Sequence, residues 1–382
     1  MQTSAPASPS VKPGSPGLAM DGAGLHAALT SRRIGGLDFL RALAVSLVML
    51  GHAVEGRGGL SEAVGPLAAL GVKVFFVLSG FLITRLLLDE IDAHGRIDFL
   101  AFYRRRVARL MPVFYLYLAV ALTVLWVRDK PIPWGAVASA VLYVTNYYQA
   151  FTGAQTNIVS HCWSLAVEEQ FYMLWPLLAA FLFVRRIDMT RALVLIILAV
   201  WCWRVFLVAG VDASVDYLYR ALDTRADELA VGCLFAVLGR SSEWRARLAS
   251  VLRLPAAGPV LLLLVYASTL IGAHSALFRY CFGYMVEPIM IGLLMLMTVW
   301  ASTRSGWLAG LLNNRLLVHV GQVSYCMYLF HGLIMYSTQR IVEGRTGSFW
   351  LGLAASFAAV ILASTLSFRW FETPMRKLIN GR

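Results

Sequence analysis

The stretch LDFLRALAVSLVMLGH, residues 37–52, decides the fold. It is apolar for most of its length, yet it carries Arg41 and closes on His52. A membrane span needs about 20 mostly apolar residues. A charge at its centre costs about 3 kcal/mol by insertion scales, so an arginine there needs a physical reason. Working outward, similar apolar runs recur at about 67–88, 107–127, 163–184, 192–209, 222–239, 256–273, 284–301, 316–339 and 348–370. One local core would not require so many. Hydrophobic residues make up 59% of the 382-residue chain and charged residues only 14%, where a soluble domain has about 25% charged. The mean hydropathy of +0.69 agrees. The expected fold is an all-α integral membrane bundle of ten helices, or eleven if the short apolar segment 135–150 also crosses.

Charge placement sets the expected orientation. The net charge of +12 would suit nucleic acid, but the cations sit in short loops between apolar runs, as the positive-inside rule requires. If 135–150 does not cross, every strong basic loop falls on one side: Arg96 with Arg104–Arg106, Arg185–Arg191, Arg240–Arg253, Arg304–Arg315, and Arg376 with Lys377. Ten spans, with both termini cytoplasmic, satisfy the rule throughout. Residues 1–30 are rich in Ser, Pro, Ala and Gly and read as a disordered cytoplasmic tail ahead of Arg32 and Arg33. Residues 31–382 form the membrane domain. The five cysteines are scattered without a CxxC pair, so neither a zinc site nor a disulfide framework is expected. No internal repeat is evident, which weakens an inverted-repeat transporter.

Several polar groups inside the spans are candidates for chemistry. Arg41 and His52 are eleven positions apart, which places them within roughly 20° of one helix face and about 16 Å apart along the axis. They are expected to line two ends of one cavity, or else to snorkel to opposite headgroup layers. FYRRRVARLMP carries Arg105, Arg106 and Arg109; Arg106 and Arg109 share a face and could grip phosphates or simply anchor the inner boundary. HCWSLAVEEQFYMLWP carries Glu168 and Glu169, at least one of which must face protein or water. Either is expected near His52, where a carboxylate would raise its basicity. LDTRADELAVG holds Asp223, Arg225, Asp227 and Glu228, and VGQVSYCMYLFHGL sets Ser324, Tyr328 and His331 in one stripe. Each could be interhelical glue. Together His52, Glu168, Asp227 and His331 suggest an outer polar pocket suited to a hydroxyl-bearing acceptor, with Arg225, Tyr328 and Ser79 as further contacts. The Ser79–Gly80 pair in GVKVFFVLSGFLI could equally mark a close helix crossing. No GxSxG, HExxH, Walker or GxGxxG motif occurs.

These motifs resemble the acyltransferase 3 family of membrane acyltransferases. The matching pieces are Arg41 with His52, FFVLSGFLI at 75–83, Arg106 with Arg109, WSLAVEEQFY at 163–172, TRADELAVG at 224–232, SYCMYLFH at 324–331 and FETP at 371–374. They occur in family order over about residues 34–376. The resemblance implies an O-acyltransferase moving an acyl group, commonly acetyl, from cytoplasmic acyl-CoA to a sugar hydroxyl of a cell-surface or exported polysaccharide, lipopolysaccharide or glycolipid; some relatives modify macrolide-like products. By analogy His52 is the catalytic histidine and Arg41 belongs to the same motif. Arg106 and Arg109, with Arg105, are the candidates for the coenzyme phosphates. Acyl-CoA, a carbohydrate acceptor and the lipid bilayer are the expected partners; no metal and no nucleic acid are expected. Two departures matter. Many relatives carry an acidic residue at the position of Lys73. Some add a C-terminal hydrolase-like domain, whereas this chain ends soon after FETPMRK, so the resemblance is to the short form. The competing class is a transporter or flippase of a glycan or small metabolite, since intramembrane His and Glu also suit a proton relay.

Overall fold

The computed structural model describes residues 29, 34–153, 158–252, 254 and 256–381. Apart from Leu29, the expected N-terminal tail lies outside the described residues, as do Arg32 and Arg33. Among the described residues there are helices and no strand. In chain order they are α1 Gly35–Ala53, α2 Gly59–Val64, α3 Leu67–His94, α4 Phe99–Val127, α5 Trp134–Val141, α6 Thr145–Thr152, α7 Cys162–Val184, α8 Met189–Ala209, α9 Val215–Arg220 and α10 Leu222–Leu238. There follow α11 Ser242–Leu252, α12 Ala257–His274, α13 Tyr284–Ser302, α14 Trp307–Leu312, α15 Arg315–Thr346, α16 Phe349–Ser367 and α17 Thr373–Asn380.

Nine helical runs among the described residues are long and apolar enough to cross a bilayer. The tenth expected span, 222–239, is the helix α10; its seventeen residues make a rod of about 25 Å, and it is not one of those nine. Side-chain caps mark where four of the helices start. Asp98, Asp188, Asn314 and Ser348 accept backbone N–H bonds at the starts of α4, α8, α15 and α16, satisfying donors that a helix leaves open.

Segment 135–150 does not form an eleventh span. It divides into α5 and α6, eight residues each, about 12 Å long and far short of the hydrocarbon thickness. Tyr143 between them has φ 54°, a conformation that ends a helix.

Helices α1 and α3 form the centre. In α3, 67% of the apolar window is buried, against 22% in α8 and in α12. The peripheral helices turn large apolar side chains outward, such as Leu195 and Phe206 on α8 and Leu262 and Leu263 on α12. A bilayer solvates such a surface; water would not. Helix α3 packs on α1 and α10, and α15 packs on α1 and α16. Close approach at the centre depends on glycine. A Cβ on Gly80 would lie 1.9 Å from the carbonyl oxygen of Leu229, and one on Gly232 2.1 Å from that of Val77. The Ser79–Gly80 pair therefore does mark a helix crossing, between α3 and α10.

Candidate active site

Two cavities open at opposite ends of α1. The first, about 500 Å³, is walled by α1, α3, α4, α7 and α15. Arg41, Arg106 and Arg109 face it, with Ser79, Glu168 and Tyr328. Arg41 is held by Asp38 at 3.0 Å. The Arg106 guanidinium stacks over the Tyr172 ring at 4.4 Å, which fixes a charged fork against an aromatic wall. Ser79 Oγ donates to Glu168 Oε1 at 2.8 Å.

The second cavity, about 440 Å³, is lined by His52, Glu55, Arg57, Tyr336, Gln339 and Glu343, among others. The two cavities share no lining residue. His52 Nδ1 lies 2.9 Å from the carbonyl oxygen of Val48. A carbonyl only accepts, so Nδ1 carries the proton and Nε2 is left basic. Glu55 Oε1 is 3.9 Å from Nε2. Arg57 makes a two-pronged bond to Glu343, at 2.9 and 2.6 Å, and lies over the Phe349 ring at 4.3 Å.

Between the cavities stands a layer of rings. His52 and His331 have centroids 5.1 Å apart, His331 and His161 5.4 Å, and His161 and Tyr328 5.7 Å. Tyr328 also faces the first cavity and shares a 2.6 Å hydrogen bond with Ser164. His331 Nδ1 is bonded to the carbonyl of Tyr328 at 2.6 Å, so its Nε2 is again the bare nitrogen. Nε2 of His161 is buried without a hydrogen-bond partner. The layer thus connects a side chain facing one cavity to a side chain facing the other.

This geometry corrects four sequence expectations. Arg41 and His52 do share α1, but each lines a different cavity. Glu168 belongs with Ser79 and the arginines, Glu169 lines neither cavity, and the carboxylate beside His52 is Glu55. Asp227 and Arg225 line neither cavity. Asp227 is fully buried against Arg204 at 2.9 Å and accepts from Trp201 at 2.8 Å, and Arg225 is fully buried against Glu228 at 3.0 Å. Lys73 pairs with Glu287 in the same region, and both Lys73 and Arg225 lie over the Tyr284 ring, at 4.1 and 4.4 Å. These groups tie α3, α8, α10 and α13 together. Lys73 is thus a structural cation whose carboxylate comes from α13. Arg105 faces away from the first cavity and pairs with Glu90 at 3.2 Å. Arg106, Arg109, Ser79, Tyr328 and His331 lie at the cavities or in the ring layer.

Sequence reasoning gave no role to His161, although it opens the quoted HCWSLAVEEQFY motif. Nothing in the sequence sets it apart, since His274 and His319 also lie within or at the edge of an apolar run. Among the described residues no group of three His, Cys, Asp or Glu side chains is arranged to hold a metal ion.

Comparison with known proteins agrees with the motif order. A family model for the acyltransferase 3 family, described as an acyltransferase domain, matches residues 34–368. The chain is 31% identical over 374 residues to the peptidoglycan O-acetyltransferase OatA of Listeria monocytogenes serovar 1/2a, covering 90% of this chain and 56% of that protein. It is 30% identical over 380 residues to YrhL of Bacillus subtilis (strain 168), named as a candidate peptidoglycan O-acetyltransferase, covering 92% and 56%. A candidate O-acetyltransferase of Staphylococcus aureus (strain COL) is 28% identical over 362 residues, covering 91% and 58%. The chain spans a little over half the length of these relatives. No solved structure matches it.

Proposed function

This chain belongs to the acyltransferase 3 family, and from that premise we propose that it is a membrane O-acetyltransferase acting on a cell-envelope glycan. The donor is cytoplasmic acyl-CoA, acetyl-CoA above all, and the acceptor is a sugar hydroxyl, with peptidoglycan suggested by the relatives' names. The single observation that carries the reading is the pair of cavities joined by the Tyr328–His331–His52 layer. The first cavity, with Arg41, Arg106 and Arg109, suits an anionic thioester donor. The second, with polar walls and a basic imidazole nitrogen, suits a hydroxyl acceptor. Both termini and the first cavity then face the cytoplasm of the inner membrane.

In the simplest chemistry, Nε2 of His52 takes the proton of the acceptor hydroxyl. The thioester C–S bond breaks, an ester C–O bond forms, and the coenzyme leaves as a thiolate. Separate cavities favour a two-stage version. There the thioester arm reaches past Tyr328 into the ring layer, His52 Nε2 attacks it, a C–N bond replaces C–S, and the thiolate departs. The sugar hydroxyl then attacks, C–O replaces C–N, and Glu55 accepts the hydroxyl proton. In either version the histidine needs a bare Nε2, which its bond to Val48 supplies.

Purified protein in detergent, supplied with labelled acetyl-CoA and a glycan oligomer, is the test. His52→Ala is expected to lower transfer by at least about 100-fold, and full retention would overturn both versions. Label trapped on His52 before acceptor is added separates the two-stage version from the direct one. Absence of acetyl-CoA binding, together with glycan transport in vesicles, would favour the transporter class instead.

A further inference from the structure

We propose that the C-terminal helix α17 and the start of α4 form the clamp for the phosphates of the donor. This rests on the acyl-CoA reading above and extends it to a segment beyond residue 368, where the family match ends. A recess of about 660 Å³ lies between these helices and is lined by Arg104, Arg105, Arg109, Arg376, Lys377 and Asn380. Five of its six lining residues are cations and none is acidic. Arg105 is paired with Glu90; among the described residues Arg104, Arg109, Arg376 and Lys377 enter no ion pair. Other cations in the molecule, such as Arg57, Lys73, Arg204, Arg225 and Arg240, do meet carboxylates. Four like charges gathered in one recess, with the Glu372 carboxylate near only Arg109 and Arg376, repel, and a multiply charged anion relieves that repulsion.

Position identifies which anion. Arg109 lines this recess and also the first cavity. A donor with its phosphates between α4 and α17 would pass its thioester arm beside Arg109 and bring the acyl end toward Tyr328. Helix α16 reaches this point through a π-helical turn at Phe368–Glu372. Helix α17 then packs on α4, with Arg376, Lys377 and Asn380 on one face by their spacing. Anionic lipid headgroups offer the same phosphate chemistry at a membrane surface, so the test must separate the two sources.

The test uses full-length protein in nanodiscs, with and without anionic lipid. Affinity is measured for acetyl-CoA and for S-acetyl-pantetheine, which has the thioester arm but no phosphate. Arg376→Gln with Lys377→Gln is expected to weaken acetyl-CoA binding by about 10- to 100-fold, the loss of two charge-assisted contacts. S-acetyl-pantetheine binding should stay unchanged, and the salt dependence of acetyl-CoA binding should become shallower. The charge-conserving pair Arg376→Lys with Lys377→Arg should retain most of the affinity. Both side chains are exposed, so thermal unfolding should not move. Unchanged acetyl-CoA affinity in the Gln pair overturns the clamp while leaving the acyl-CoA reading intact. An effect seen only in anionic nanodiscs overturns it in favour of lipid. Wild-type protein that binds neither thioester overturns the donor reading and the clamp together.

Discussion

His52 donates from Nδ1 to the Val48 carbonyl, and that bond decides which nitrogen can act on a substrate. The residue was legible in the sequence but the bond was not, because a tautomer depends on a partner four residues back on a formed helix. The same limit hid the fate of Asp227. Its spacing on α10 suggested a pocket-facing carboxylate, yet its partners Arg204 and Trp201 come from α8. Spacing along one helix says which face a side chain takes, not which helix covers that face. A buried partner predicts a stability effect rather than a binding effect. Asp227→Ala leaves Arg204 buried and unpaired, and should cost about 3–5 kcal/mol of stability. Thermal unfolding in detergent measures this; unchanged stability with a raised KM for acceptor would restore Asp227 to the substrate site.

Among elements, the long helices were legible because an apolar run of span length has few other homes. Their polar extensions were not. Hydropathy placed the third span at 107–127, whereas α4 begins at Phe99, and the ninth at 316–339, whereas α15 runs to Thr346. Those extra turns carry Arg104 and Arg105 of the proposed clamp and the Glu343 that grips Arg57, so the helices extend past their apolar runs where charged residues line cavities. The crossing of α3 and α10 is the tightest element contact described above. Gly80→Ala would drive a Cβ into the Leu229 carbonyl and should destabilise the protein by about 1–3 kcal/mol. Gly332→Ala on α15 has open space around its Cβ, and should leave stability unchanged or raise it by up to about 1 kcal/mol. Equal effects at the two positions would mean that the crossing is not as close as described.

For the whole molecule, the sequence's charge bias gave an orientation that side-specific labelling can check. In a background with Cys202 and Cys281 replaced by serine, Gly344→Cys beside the second cavity should react with a membrane-impermeant maleimide on intact cells. Lys377→Cys should react only after permeabilisation. Labelling of both from one side would overturn the topology and, with it, the assignment of donor and acceptor cavities. That there are two cavities was not legible at all. Face arithmetic on α1 concerns one helix only, whereas the rings between the cavities come from the residue that caps α7 and from α15.

Two chambers that share no lining residue, with a layer of rings between them, differ from an open channel in what they let through. A conduit wide enough for a coenzyme or a sugar would also conduct ions and discharge the electrical gradient the bilayer maintains. On the proposed reading only the acyl group would need to cross the ring layer, passed from atom to atom as a covalent bond. The nucleotide would stay with the metabolic pool that regenerates it, and the membrane would keep its insulation through every turnover.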